Sequence, residues 1–106
     1  MNQTVRDEII ASLDQTDVEH AKRLKDALGA GRLNPFLYFR DGCGCYYGLY
    51  VCTRADSFLL DEEEIIARAM SLSDASSGDL EHALADGTQN AATVSRVIQE
   101  WIGRQK

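Results

Sequence analysis

The sequence predicts an α+β domain: two N-terminal helices, a central antiparallel β-hairpin or three-stranded meander, and C-terminal helices packed on the sheet. Three observations lead there. Apolar residues recur at helical spacing on both sides of the middle, from Thr4 to Leu28 and from Leu60 to Ile102. Between them, Phe36 to Cys52 holds Phe36, Tyr38, Phe39, Tyr46, Tyr47 and Tyr50 together with all three cysteines. Inside that run Asp41-Gly42 is a two-residue hairpin signal, because both positions must tolerate positive φ.

Each element follows from its own residues. Thr4 is a candidate N-cap, and Val5, Ile9, Ile10 and Leu13 form one apolar stripe. Thr16 to Glu19 has capping-box spacing, so a second helix is expected from about Asp17 to Leu28 with Val18, Ala21, Leu24 and Leu28 inward. Spacing alone leaves open whether residues 14–16 break the helix or only bend it. Gly29 and Gly31 end it. After Asn34-Pro35 the composition turns aromatic and β-branched, which favours strands on either side of the Asp41-Gly42 turn. Ser57 to Leu60 is a candidate third strand.

Asp61 caps the next helix, with Glu64 at the capping-box position and Ile65, Ile66, Ala69 and Met70 inward. A short helix is expected near residues 79–85, ended by Gly87. Thr88 or Asn90 opens the last one, where Val94, Val97, Ile98, Trp101 and Ile102 make a core stripe. At 106 residues the chain is read as a single domain, 1–106.

Charge narrows the functional classes. The net charge is −6, and residues 61–86 carry eight acidic side chains against Arg68 alone, a local −7. Nucleic-acid binding needs a contiguous basic face, so it is disfavoured. No apolar run reaches membrane-spanning length, and the N-terminus lacks a signal-peptide pattern. With an odd number of cysteines, the expectation is reduced thiols in a cytoplasm.

The residues that could carry chemistry are few. Cys43, Cys45 and Cys52 suggest a soft-metal or redox site, but one intervening residue is tighter than zinc pairs use, and Cys52 falls on the opposite hairpin face. His20 reads as a packing residue beside Ala21, and His82 as part of a solvated helix face. No enzyme motif is present, no cofactor is implied, and no stretch matches a family motif.

The remaining signal is aromatic. Tyr46 and Tyr50, flanking Gly48, together with Tyr38, are candidate anchors for a protein partner, with Glu62 and Glu63 attracting a basic one. The competing reading packs the same rings beneath the helices. The leading expectation is therefore a small, acidic, non-enzymatic interaction protein of bacterial or phage type, an adaptor, inhibitor or immunity-like factor. A homodimer would cover the ribbon's second apolar face. The alternatives are the thiol site and a small-ligand pocket.

Overall fold

The computed structural model describes residues 1–105, and its architecture overturns the α+β expectation. Among the described residues there are six α-helices and no sheet: α1 (Gln3–Asp14), α2 (Val18–Gly29), α3 (Tyr46–Cys52), α4 (Glu62–Ala75), α5 (Asp79–Asp86) and α6 (Ala91–Arg104). The candidate third strand is a single 3-10 turn, Ser57–Leu59.

The outer helices follow from their stripes. Val5, Ile9 and Leu13 of α1 are buried, as are Ala21, Leu24 and Leu28 of α2 and Val94, Val97, Ile98 and Trp101 of α6. The α6 helix lies against both α1 and α2, and α5 lies against α1. Caps mark the starts. Asn2 caps α1 in place of Thr4, and Asp17 caps α2 by accepting the His20 N–H, so residues 15–17 do separate two helices. Asp61 caps α4, and Asn90 with Thr93 completes a reciprocal capping box on α6. The α4 helix runs on to Ala75, and Met70 faces solvent instead of the core.

The middle of the chain holds the correction. The Asp41-Gly42 turn forms as expected, with φ of 50° and 81°. Arg40 and Cys43 exchange backbone hydrogen bonds of 2.7 and 2.9 Å around it. Pairing stops there. Gly44 bonds instead to Arg32 and Asn34, making one parallel bridge with Leu33. Cys45 then adopts extended backbone, and its Sγ accepts the Gly48 N–H at 3.4 Å, so it caps a helix where a second strand was expected.

The tyrosine segment becomes helical because it is enclosed on every side. Tyr46 through Val51 are all buried, and the segment packs against α4 and α2. A short run that is apolar all round fits a buried helix as well as a buried strand, and periodicity cannot separate them. Close approach settles the packing. A Cβ on Gly48 would lie 1.7 Å from the Tyr38 carbonyl oxygen, and one on Gly44 would lie 2.2 Å from it. Glycine at 48 lets the 33–44 loop lie directly on the helix, and glycine at 44 lets the two arms of that loop close on each other.

The homodimer expectation rested on a ribbon with an uncovered apolar face. Here α4 and the 33–44 loop of the same molecule supply that cover. No helix among the described residues is long and apolar enough to cross a membrane.

Candidate functional site

The tyrosines sit in the core. Tyr46 is 0% and Tyr50 3% exposed, and Tyr47 is buried beside them, so none of these rings can reach a partner from this structure. Tyr38 is half-buried in the covering loop. Their hydroxyls are satisfied from within. Ser12 donates to the Ile9 carbonyl at 2.6 Å, which leaves its Oγ to accept the Tyr46 O–H at 2.7 Å. Tyr50 donates to the Ser12 carbonyl at 2.7 Å, and Tyr47 donates to Glu8. Burial pushes all three phenols above their ordinary range, and the hydrogen bond to Glu8 adds to the rise for Tyr47.

Glu8 is a junction that sequence reading missed. One carboxylate oxygen takes the Tyr47 hydroxyl; the other accepts from Ser77 Oγ at 2.8 Å and from the Leu80 N–H at 3.2 Å. It thereby joins α1 to α3 and to the first turn of α5. No spacing rule flags it, since its partners lie 39, 69 and 72 residues away.

His20 is the packing residue the sequence suggested, with 2% of its surface exposed. Its Nε2 lies 2.7 Å from the Tyr50 carbonyl, an acceptor only, so Nε2 carries the proton. Nδ1 is then free to accept from the Thr16 hydroxyl at 2.8 Å. Desolvation holds its pKa below the usual value despite the carbonyl contact.

The cysteines occupy separate roles. Cys45 caps α3, Cys52 near the other end lies 3.4 Å from both the Leu49 carbonyl and the Arg32 guanidinium, and Cys43 sits at the Asp41-Gly42 turn. A seven-residue helix spans about 10 Å, which separates Cys45 from Cys52. All three are free thiols, and burial raises the pKa of Cys45 and of Cys52. Among the described residues no group of three or more His, Cys, Asp and Glu side chains is arranged to hold a metal ion.

Surface features stand elsewhere. Phe58 is 82% and Leu59 71% exposed on the 3-10 turn, immediately before Asp61, Glu62, Glu63 and Glu64, which are all exposed in the cap and first turn of α4. These acids oppose no base within their own turn and complement the helix dipole. The signal is present in the sequence, where Phe58, Leu59 and Leu60 abut an acidic block.

On another part of the surface, Arg23, Arg32 and Arg54 line a cleft of about 650 Å³ between α2 and the segment after α3. They come from three separate places in the chain, so only folding brings them together. Family models, curated proteins and solved structures were each compared with this chain, and none of them matches it.

Proposed function

We propose that this chain is a small, acidic, non-enzymatic protein-interaction module of the cytoplasm, an adaptor, inhibitor or immunity-like factor that docks a basic protein. The observation that carries the proposal is the exposed Phe58-Leu59 pair set against the acidic start of α4. Isolated surface apolar residues are ordinary, but a phenylalanine and a leucine projecting together cost hydration that a partner would relieve. The carboxylates of Glu62 and Glu63 would speed encounter with a basic surface, and the two apolar side chains would supply the buried contact. The tyrosines support this reading only indirectly, by fixing α3, on which α4 packs.

The experiment is capture from the native host with tagged protein, read by quantitative mass spectrometry in low salt. Wild type is compared with Phe58→Ala/Leu59→Ala and with Glu62→Lys/Glu63→Lys. All four positions are exposed, so both variants should fold as wild type does. The expected result is a basic protein whose recovery falls about tenfold or more in each variant. An identical captured set in all three samples refutes the proposal.

A further inference from the structure

The arginine-lined cleft carries an inference that stands apart from the docking face. We infer that it is a binding site for a small phosphorylated molecule without a nucleobase. In a chain of net charge −6, three guanidinium groups border one cleft, whose other walls include Ala27, Ala30 and Ala55. Asp26 on the rim and Asp56, 3.7 Å from Arg54, offset two of the three charges, and the site stays positive by one.

The guanidinium groups are held in a particular way. Arg23 donates its Nε–H to the Thr53 carbonyl at 2.6 Å, and Arg32 donates its Nε–H to the Gly42 carbonyl at 2.6 Å. Each of these two groups is thus fixed through Nε, which leaves terminal N–H donors for a ligand. Among the described residues Arg23 makes no other hydrogen bond, and Arg32 adds only the weak contact with the Cys52 thiol. Planar forks of this kind match the oxygens of a phosphoryl group two at a time. Side chains already fixed lose little freedom on binding, which favours affinity.

Size and lining choose among phosphates. The volume falls within the range of about 300–1,000 Å³ that small-molecule sites occupy. No aromatic ring lines the cleft, so it offers a base no stacking surface, while the alanines suit a short aliphatic or sugar-like body.

The test is a two-dimensional NMR titration of the folded protein, with ionic strength held constant by chloride. The probes are inorganic phosphate, glycerol 3-phosphate and glycerol. Saturable shifts with both phosphates, at the backbone amides of Thr53, Arg54 and Ser57, are expected, and none with glycerol. Arg54→Gln is the informative variant, because Arg54 is exposed and its side chain caps no backbone carbonyl. It should weaken binding about tenfold, whereas Arg96→Gln, on the exposed side of α6, should leave it unchanged. Absence of saturation with either phosphate overturns the inference, and so does an equal effect of Arg54→Gln and Arg96→Gln. The assay needs no protein partner, so it stands or falls separately from the docking proposal.

Discussion

Replacing Gly48 by alanine sets two physical effects against each other. Gly48 is inside α3, and helix propensity alone favours alanine by roughly 0.8–1.0 kcal/mol. The new Cβ would meet the Tyr38 carbonyl oxygen at 1.7 Å and its carbon at 2.9 Å. Backbone must therefore withdraw by about 1.5–2 Å to reach ordinary contact. The loop that must move is pinned by the hydrogen bond from Cys45 N–H to the Leu37 carbonyl at 2.8 Å. Losing that bond costs roughly 1 kcal/mol, and overpacking a closed site costs about 1–3 kcal/mol. The balance is a net destabilisation of roughly 1–3 kcal/mol after the propensity gain is subtracted. Urea unfolding at neutral pH measures it, provided the slope with denaturant is unchanged. Gly103→Ala is the control. That glycine is also helical but, among the described residues, has nothing within 4 Å of its would-be Cβ, so alanine should stabilise by roughly 0.5–1 kcal/mol. If Gly48→Ala gains stability as Gly103→Ala does, the packing of the loop on α3 is wrong.

Two further outcomes follow from the polar core. Glu8→Ala strips acceptors from Tyr47, Ser77 and the Leu80 amide at once, and should cost about 2–4 kcal/mol in the same unfolding assay; a loss below the about 0.5 kcal/mol typical of surface changes would contradict the junction. His20 makes stability depend on pH. Its folded pKa lies below the unfolded value of about 6.5, so between the two the unfolded chain binds more protons and stability rises with pH. The contribution is complete above the unfolded value and is lost as pH falls to the folded one. The urea midpoint of wild type should therefore drop more steeply than that of His20→Gln on going from about pH 7.5 to about pH 5. Parallel profiles would refute the assignment.

Most helices were legible in the sequence because they bury one stripe and solvate the rest. The α6 stripe of Val94, Val97, Ile98 and Trp101, the Asp61 and Asn90 caps and the Gly87 stop each follow from local chemistry. The Asp41-Gly42 turn was legible for the same reason. The segment from Tyr46 to Cys52 was not. Its tyrosines and valine carry high β-propensity, and its apolar character all round erases the period that would identify a helix. Tertiary enclosure decided the matter. The spacing of Tyr46, Leu49, Tyr50 and Thr53, at i, i+3, i+4 and i+7, is helical in retrospect, and Cys45 is an unusual residue to expect as a cap. The arginine cleft could not have been read, because Arg23, Arg32 and Arg54 share no pattern until the chain folds.

The brevity of α3 bears on how the chain acquires its form. Seven residues fall well short of the about 12–15 at which a lone helix begins to persist in water. Its shape is lent by α1 and α2, whose Ser12, Glu8 and His20 grip it. Those two helices are in turn held by α6, and α4 lies along α3, so the phenolic stretch can take its final form only after the C-terminal half has left the ribosome.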